Sequence, residues 1–269
     1  MRKVLIPTDF SNSSKNAYHY ALQLYGNTET SFDVVHIYHT SFDPSQPTVL
    51  DFSLGIDKIK KENVEKFIKD IPEPIQKGLD KKQNINGKVV MGFASEQLIS
   101  LSKAYDVIIM GTTGAHKLAD KIFGTISLEV SRKAHCPVFL IPDYSKFISF
   151  KNIVYACDFE GINASILEKI VNFAGRFKSQ VHFIHVSIED VNLDIGTSIQ
   201  KMNFPINYST QTIKSASVSE GLNNFVEKNG IELLIMATKK RNFWEQIIHN
   251  SITKKMAINS QIPLLVYHE

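Results

Sequence analysis

The chain repeats itself, and this repeat limits its possible folds more than any other feature of its 269 residues. The segment KVLIPTDFS near the start matches NIVYACDFE, so that Asp9 corresponds to Asp158 at an offset of 149 residues. The same offset places His36 of VVHIYH on His185 without a gap. Self-similarity over such a length indicates that one structural unit is used twice.

Later segments repeat at a shorter offset. DVIIMGTTG resembles ELLIMATKK, which places Met110 on Met236 at an offset of 126 residues. The second half therefore has 23 fewer residues between its second and fourth predicted strands, because the offset falls from 149 to 126. A chain of this length is long enough to form two domains of about 100–150 residues each. We predict one domain over residues 1–144 and another over residues 150–269.

Each half alternates short apolar runs with helical patterns. In the first half, VLIP, FDVVHIYH, KVVMG, DVIIMG and PVFLIP predict β-strands. Between them, SNSSKNAYHYALQLYG predicts a helix capped by Ser11 or Asn12. KIKKENVEKFIKDI, SEQLISLSKA and a stretch over about residues 127–134 predict three more. Short Val- and Ile-rich strands alternating with helices predict an α/β fold, in which each domain has an open, parallel, five-stranded sheet covered on both faces.

One connection in the first half is long. Segment Thr40–Lys58 contains two prolines and several polar residues, which predicts a loop. The position suits a lid over a ligand, and a plain surface excursion is the simpler alternative.

Composition narrows the classes of function. The net charge of +3 is too small to predict a nucleic-acid partner or an anionic membrane surface. No apolar run approaches the roughly 18 residues that span a bilayer, and VLIP is too short for a signal-peptide core. The two cysteines, Cys136 and Cys157, fit a reducing compartment rather than a disulfide scaffold. We therefore expect a cytoplasmic protein.

The stretch GTTGAHKLADKIFGTIS, after the fourth predicted strand, carries the candidate site. Gly111, Gly114 and Gly124 follow the pattern G-x2-G-x9-G, with Thr125 directly after the last glycine. A loop from a strand to a helix start presents free N–H groups and a positive dipole end, which suit phosphate, and glycine permits close approach. Loop glycines alone are ordinary turn residues, but the spacing and the context together favour a phosphate site. The sequence has neither GxxxxGK[ST] nor GxGxxG after a strand.

These motifs, VLIPTDFS, VVHIYH and VIIMGTTGAHKLADKIFGTIS followed by AHCPVFLIP, resemble those of the universal stress protein family in its tandem form. The resemblance covers essentially the whole chain. It implies two Rossmann-like domains of the adenine nucleotide alpha hydrolase-like type. It also implies a stress-response protein that binds ATP, with any magnesium held mainly by the phosphates. The family forms dimers, or a pseudo-dimer of the two domains in tandem members, so a homodimer of chains is a further option. Protein partners are not identified by sequence.

The same resemblance implies which residues bind the nucleotide, all of them in the first half. From the adenosine end to the outer phosphates they are Pro7, Thr8, Asp9, Ile37, Gly92, Met110, Gly111, Gly114, Gly124, Thr125, Ile126 and Ser127. Asp9 and its two neighbours flank the adenosine, and Ile37 meets the adenine. Gly92 and Met110 line the same cleft. Gly111 and Gly114 lie near the ribose and the α-phosphate, and the helix start at Gly124 holds the outer phosphates.

The second half departs from this pattern. Its corresponding loop is ATKKRNFWEQIIHNSIT, and the matched positions are Ala237 for Gly111, Lys240 for Gly114, Asn250 for Gly124 and Ser251 for Thr125. Lys240 brings bulk and charge where a glycine allowed close approach. We therefore predict that the second domain does not bind ATP in this way and serves a structural or interaction role. Lys239, Lys240 and Arg241 could hold an anion by charge, although a solvated basic loop is the simpler interpretation.

Other residues carry weaker predictions of chemistry. His36 and His39 lie three positions apart on a strand and so point to opposite faces, which disfavours a metal site. The matched His36 and His185 favour a packing or hydrogen-bonding role. Cys136 is either a reactive thiol or, more commonly, a buried small side chain. No second carboxylate or histidine accompanies Asp9 in the sequence, so we assign no catalytic residue and no metal ligand.

Three functions stay open at this point. The first is an ATP-binding regulatory or interaction module, the second a slow ATPase or nucleotidyl-transferring enzyme, and the third a scaffold whose ligand is not a nucleotide. The missing catalytic residues argue against the second, and the glycine pattern argues against the third.

Overall fold

A computed structural model describes residues 1–39, 49–113, 124–157, 163–188, 204–237 and 262–268, with the backbone alone for residues 49–57. Two compact units make up this part of the chain, and they divide between Phe147 and Ile148. The finer domain bounds given above stay a prediction.

The first unit contains a five-stranded parallel sheet in the order β3-β2-β1-β4-β5. Its strands are β1 (Arg2–Pro7), β2 (Thr30–Tyr38), β3 (Asn84–Met91), β4 (Val107–Gly111) and β5 (Val138–Ile141). Its helices are α1 (Asn12–Tyr25), α2 (Val49–Lys69), α3 (Glu73–Lys77), α4 (Ala94–Leu101) and α5 (Thr125–Lys133). The strand order reverses between β1 and β4, which is where parallel sheets of this kind bind ligands.

The second unit has the matching order β10-β9-β6-β7-β8, again parallel. Its strands are β6 (Asn152–Ala156), β7 (Gln180–Ser187), β8 (Asn207–Lys214), β9 (Leu233–Ala237) and β10 (Leu264–Tyr267). Its described helices are α6 (Ala164–Phe177) and α7 (Val218–Asn229). The predicted α/β fold with a parallel sheet in each domain is confirmed.

The internal repeat extends to individual hydrogen bonds. In the first unit, the Asp106 carboxylate accepts a bond of 2.7 Å from the backbone N–H of Lys3. In the second unit, the corresponding Glu232 accepts one of 2.9 Å from the backbone N–H of Asn152. Each carboxylate thereby ties the start of the fourth strand of its unit to the start of the first. The two halves share the same internal construction as well as the same sequence pattern.

Helix α1 shows why the sequence starts a helix where it does. Of the two predicted caps, the structure selects Ser11, whose hydroxyl accepts a bond of 3.2 Å from the N–H of Ser14. Ala17, Ala21 and Leu24 are buried and lie at helical spacing. The helix therefore packs one apolar face on the sheet while its first turn lies beside the end of β1.

The prediction of a loop over residues 40–58 is wrong in its second part. Helix α2 begins at Val49 and continues unbroken to Lys69. The two prolines and several polar residues suggested a loop, yet both prolines precede residue 49. The single Gly55 is tolerated inside the long helix. Gly87 of β3 lets this helix approach the sheet, because a Cβ there would lie 2.6 Å from a methyl group of Val64. Residues 40–48 lie outside the described residues.

No helix in the described parts of the chain combines the length and the apolar character needed to cross a membrane.

Candidate functional site

The candidate site lies where the carboxyl ends of neighbouring strands meet. Strand β1 pairs with β2 on one side and with β4 on the other, and all three run in parallel. Their carboxyl ends therefore share one edge of the sheet. This edge brings together the predicted residues that lie at or just after the three strand ends: Pro7, Thr8, Asp9, Ile37, Met110 and Gly111.

The loop after β1 is held by its own polar side chains. Thr8 is buried, its hydroxyl shares a bond of 3.0 Å with the Ser14 hydroxyl, and it accepts another of 3.0 Å from the N–H of Phe10. Asp9 is exposed, and its carboxylate accepts bonds from the N–H of Ser11 at 3.1 Å and from the Ser11 hydroxyl at 2.5 Å. The fold thus presents the Asp9 carboxylate at the surface beside the start of α1.

Phe10, in the same loop, has an unusual backbone conformation. Its φ is +65°, in the left-handed region that bulky side chains rarely adopt. The ring packs over the His36 ring, with centroids 4.4 Å apart, and against Phe67 at 6.0 Å. Strain of this kind costs about 1–3 kcal/mol and persists only where surrounding contacts impose it. Sequence reasoning assigned Phe10 no role, although its match with Phe159 was the available signal.

Gly92 begins the connection from β3 to α4. Its φ is +146°, which favours glycine, and its N–H donates to the carbonyl of Tyr38 at 2.9 Å. A Cβ at this position would lie 2.8 Å from the side-chain nitrogen of Gln97. Gly92 is therefore needed for the turn itself, beside the end of β2, where Ile37 is half-buried. Their contact with a ligand stays a prediction.

Gly111 ends β4, and the structure gives a physical reason for a glycine there. A Cβ would lie 2.3 Å from the Ser13 hydroxyl oxygen and 3.0 Å from the Ser13 carbonyl carbon. The space of the missing side chain is therefore occupied by the first turn of α1. The preceding Met110 is buried. The glycine allows the close approach of helix and strand, which sequence reasoning had attributed to a phosphate.

Helix α5 begins at the edge of the same site. Gly124 is its N-cap, with an extended backbone, and no side chain caps the helix. The N–H of Gly124 donates to the carbonyl of Thr112 at 2.6 Å, which anchors the helix start to the end of β4. Thr125 and Ile126 are exposed in the first turn. Gly114 lies outside the described residues.

Ser127 faces the other way from its two neighbours. It is 3% exposed, and its hydroxyl donates to the carbonyl of Thr112 or of Gly124, each at 2.9 Å. As the structure stands, Ser127 fastens the helix to the strand, and its role as a phosphate donor stays a prediction. Thr112 was missed by sequence reasoning, and so was Thr113, whose hydroxyl donates to Asp143 at 2.8 Å.

An ionic cluster centred on the buried Asp33 of β2, with partners on β3 and at Tyr105, was also missed. The Asp33 carboxylate accepts bonds from Lys88 at 2.7 Å, from the Tyr105 hydroxyl at 2.6 Å and from Asn86 at 2.9 Å. Burial alone would raise the pKa of Asp33, but these hydrogen bonds outweigh it and hold the pKa below its ordinary value. The donors are far apart in the sequence, so only the register of the strands could have revealed them.

The histidines of the first unit have aromatic or hydrogen-bonding partners. His36 is buried and its Nδ1–H donates to the carbonyl of Thr8 at 2.8 Å, while His39 stacks on Phe93 with ring centroids 4.5 Å apart. His185 makes the matching bond to the carbonyl of Cys157 at 3.2 Å. The predicted hydrogen-bonding role of the two matched histidines is confirmed.

Cys136 is buried, as the commoner interpretation of its sequence position holds. Burial, with a contribution from the Asp106 charge, raises the pKa of its thiol to about 12. A thiol in this state is a poor nucleophile, because the thiolate is the reactive form. Across the described residues there is no group of three or more His, Cys, Asp or Glu side chains placed to hold a metal ion.

In the second unit only part of the corresponding edge is described. The residues matched to Thr8, Ile37 and Gly111 are Cys157, Val186 and Ala237. Val186 is buried, and a Cβ on Gly221 of α7 would lie 2.7 Å from one of its methyl groups. Helix α7 therefore packs directly against the end of β7. Asp158, the basic residues 239–241, Asn250 and Ser251 lie outside the described residues.

Comparisons with known proteins agree with these features. The sequence model of the universal stress protein family matches residues 1–142 and 200–268. Universal stress protein MJ0531 of Methanocaldococcus jannaschii is 25% identical over 142 residues, covering 52% of this chain and 81% of that protein. Universal stress protein MJ0577 of the same organism is 21% identical over 154 residues, covering 52% of this chain and 94% of that protein.

The fold is also similar to that of a solved structure that matches both halves of this chain. The crystal structure of a universal stress protein from Archaeoglobus fulgidus superposes with a TM-score of 0.70 at 19% identity, covering 99% of this chain and 98% of that one. At this identity the likeness shows the fold alone. Because the family model matches well over half of the residues, from both halves, the chain belongs to the universal stress protein family.

Proposed function

We propose that the first domain binds an adenine nucleotide, ATP foremost, and that the chain is a nucleotide-dependent regulatory or interaction module of the stress response. The observation that carries the proposal is the meeting of two features at one edge of the sheet. These are the point where strand order reverses, between β1 and β4, and the start of α5, which no side chain caps.

The start of α5 supplies what phosphate groups require. The first N–H groups of a helix have no partner within it and carry the positive end of the helix dipole. In the first turn of α5, Thr125 and Ile126 are exposed, and Thr125 adds a hydroxyl donor. No acidic side chain lies in this turn to compete with an anion. The outer phosphates would lie here, with magnesium held mainly by the phosphates themselves.

The other end of the ligand would lie at the ends of β1 and β2. Asp9 is exposed and can accept hydrogen bonds from donors of the adenosine, and half-buried Ile37 offers an apolar surface to the base. Pro7, Thr8, Gly92, Met110 and Gly111 would form the walls between these ends. The proposal is one of binding rather than turnover, because the Ser127 hydroxyl is tied to backbone carbonyls and is not prepared as a nucleophile.

The second domain is proposed to have lost this site and to act as the interaction partner of the first. Its loop has alanine, lysine and asparagine where the first has its three glycines. A pseudo-dimer of the two domains, further pairing of chains into a homodimer and a cytoplasmic location belong to the same proposal. Light scattering on the purified protein measures the pairing of chains. A monomer at all concentrations would refute the homodimer.

The test is the substitution Gly124→Asn, which copies Asn250 of the second half. Asparagine is a good N-cap residue in the extended conformation that Gly124 adopts. Its side chain should accept hydrogen bonds from the backbone N–H groups that are proposed to bind phosphate. Each hydrogen bond to a charged group is worth about 1.5–3 kcal/mol, so ATP affinity should fall at least tenfold. Helix stability should stay the same or rise by a few tenths of a kcal/mol.

Titration calorimetry with ATP, ADP, AMP and cAMP measures binding, and thermal unfolding measures stability. We expect one nucleotide per chain for the wild type. Asn163→Gly is the matched control, because Asn163 caps α6 of the second domain by accepting bonds from the N–H groups of Ser165 and Ile166. It should lose stability and keep ATP affinity. Absence of binding by the wild type at millimolar ATP would refute the proposal, and undiminished binding by Gly124→Asn would refute the placement of the phosphates.

A further inference from the structure

His36 has one nitrogen that the fold leaves without a partner. Its Nδ1–H donates to the carbonyl of Thr8 at 2.8 Å, which fixes the neutral ring with Nε2 as a hydrogen-bond acceptor. Nε2 is buried and has no hydrogen-bond partner. Buried polar atoms without a partner are uncommon, and each one calls for an explanation.

Phe10 is one of the residues that cover this imidazole. Its ring lies over the imidazole, with centroids 4.4 Å apart and planes inclined by 33°. Its backbone is strained, with φ at +65°, and its ring also makes an edge contact with Phe67. The covered state therefore contains two unfavourable features, a strained residue and an unsatisfied nitrogen, both of which would be relieved if Phe10 moved away.

We propose that Phe10 and His36 form a latch that positions Asp9, and that protonation of His36 opens it. Phe10 stands between Asp9 and Ser11 in the chain, and the Ser11 N–H and hydroxyl donate to the Asp9 carboxylate. Movement of Phe10 would break these bonds and displace Asp9. The link from the latch to ligand affinity rests on the proposed nucleotide function, whereas the latch itself does not.

The electrostatic surroundings oppose a charge on His36 while the latch is closed. Burial lowers the pKa of His36 most strongly, the Lys60 charge on α2 lowers it further, and the Asp9 charge in the loop raises it. The bond to the Thr8 carbonyl also raises it, but the net direction is downward. Protonated His36 would have a second N–H at the buried Nε2, which has no hydrogen-bond partner in the closed state.

The sign of the pH effect follows. In the open state the ring is hydrated and its pKa is ordinary, about 6.5. Because the closed-state pKa is lower, protons bind preferentially to the open state, and the closed state loses stability as the pH falls below about 6.5. If His36 stays neutral while closed, the ratio of closed to open molecules should fall about tenfold between pH 7.5 and pH 5.5.

The second domain provides a matched control. His185 occupies the corresponding position and makes the corresponding bond to the carbonyl of Cys157 at 3.2 Å, but it is half-buried rather than buried. Asparagine can retain the donor that each histidine directs at its carbonyl, while removing the titrating ring. His36→Asn should therefore keep the fold and abolish the pH response, and His185→Asn should keep both.

The first measurement is hydrogen exchange at the Ser11 amide, which donates to the Asp9 carboxylate at 3.1 Å. It is made without nucleotide and corrected for the chemical effect of pH on exchange. We expect opening to increase about tenfold from pH 7.5 to pH 5.5 in the wild type and in His185→Asn, and to stay constant in His36→Asn. Phe10→Gly, which removes the cover and the strain, should expose Ser11 at both pH values. The same pH response in His36→Asn as in the wild type would overturn the latch.

The second measurement connects the latch to the ligand. ATP affinity is measured for the wild type and for His36→Asn at both pH values, and their ratio is compared, because phosphate protonation affects both proteins alike. We expect the ratio of wild-type to variant affinity to fall by up to about tenfold at pH 5.5. A constant ratio beside an intact Ser11 response would overturn the regulation of the site. Failure of both proteins to bind ATP would refute the proposed function and leave the Ser11 result standing.

Discussion

Replacement of Gly111 by alanine tests why β4 ends in a glycine. The added Cβ would lie 2.3 Å from the Ser13 hydroxyl oxygen, 3.0 Å from the Ser13 carbonyl carbon and 3.1 Å from the Ser13 Cβ. Carbon atoms in favourable contact are about 3.5–4.0 Å apart, so the first turn of α1 must move away from the strand. Overpacking costs about 1–3 kcal/mol. Because a helix backbone atom is among those displaced, we expect a loss of about 2–3 kcal/mol in the free energy of unfolding.

A double-mutant cycle with Ser13 assigns this loss to the contact. Ser13 is 1% exposed and its hydroxyl is a buried atom without a hydrogen-bond partner, so Ser13→Ala alone should be close to neutral. In the Gly111→Ala background, Ser13→Ala removes the closest clash and leaves the two carbon contacts. We expect it to recover about 1 kcal/mol as a coupling energy. Ser13→Gly also removes the contact with the Ser13 Cβ, so in the Gly111→Ala background it should relieve more of the clash. Part of this gain in the free energy of unfolding is lost because glycine destabilises a helix.

The assay is urea unfolding followed by circular dichroism, together with hydrogen exchange of the β4 segment to locate the effect in the first domain. The reasoning is refuted if Gly111→Ala lowers the free energy of unfolding by less than about 0.5 kcal/mol, which is the range of ordinary surface substitutions. It is also refuted if the Ser13 substitutions give no recovery. If the rescued double variant folds and still fails to bind ATP, Gly111 contacts the ligand as well as α1.

Three further predictions concern groups outside the site. The pKa of Asp33 is lower in the folded state than in the unfolded state, so its ionised form stabilises the fold above the unfolded pKa of about 3.9, and this contribution is lost as the pH falls through the folded pKa. The advantage of the wild type over Asp33→Asn in urea midpoint should therefore be present at pH 7 and shrink as the pH falls below about 3.9. Lys88→Met leaves the carboxylate without its cation and should cost about 1–3 kcal/mol by the same measurement, less than for a fully buried pair because the Lys88 side chain is 48% exposed. Burial raises the pKa of Cys136 to about 12, so native protein should resist iodoacetamide at pH 8 at this residue and react in urea, as read by peptide mass spectrometry; equal labelling in both states would contradict its burial.

Much of the fold was predictable because local patterns and packing agree. Runs such as VLIP and DVIIMG form buried strands of a parallel sheet, and Ser11 begins α1 where a cap was expected. The start of α2 was misjudged because the prolines and polar residues were weighed as loop signals over the whole segment. The helix begins just after the last proline and tolerates Gly55. Local composition marks the presence of a breaker but not the residue at which the helix starts.

The site was less predictable, because the reasons for its residues are tertiary. The sequence shows a glycine at position 111 but not that Ser13 fills the space beside it. It shows a serine at position 127 but not that its hydroxyl turns inward to the carbonyl of Thr112. Phe10 carries no propensity for the left-handed region, so its φ of +65° comes from the loop and from the rings it contacts. Each of these depends on partners that are distant in the chain.

The two halves separate the requirements of the fold from those of the site within a single chain. The carboxylate that ties the first and fourth strands persists as Asp106 and Glu232, and the histidine bond to the strand end persists as His36 and His185. These side chains form hydrogen bonds with backbone groups, and both halves have them.

Side chains that do not bond to the backbone differ between the two halves, although the strands pair in the same register. The pair Asp33 and Asn86 of the first sheet is matched by His182 and Ser209 in the second, whose side chains are joined by a hydrogen bond of 2.8 Å. One interacting pair has thus been exchanged for another without a change of fold. The replacement of Gly111 by Ala237 fits the same rule only if the first turn of α6 leaves room that α1 does not, since an alanine at Gly111 would clash with Ser13. Loss of the glycine in the second half therefore implies that α6 starts in a different position relative to its sheet than α1 does. The second domain would then have a different surface at the sheet edge that corresponds to the proposed nucleotide site of the first domain.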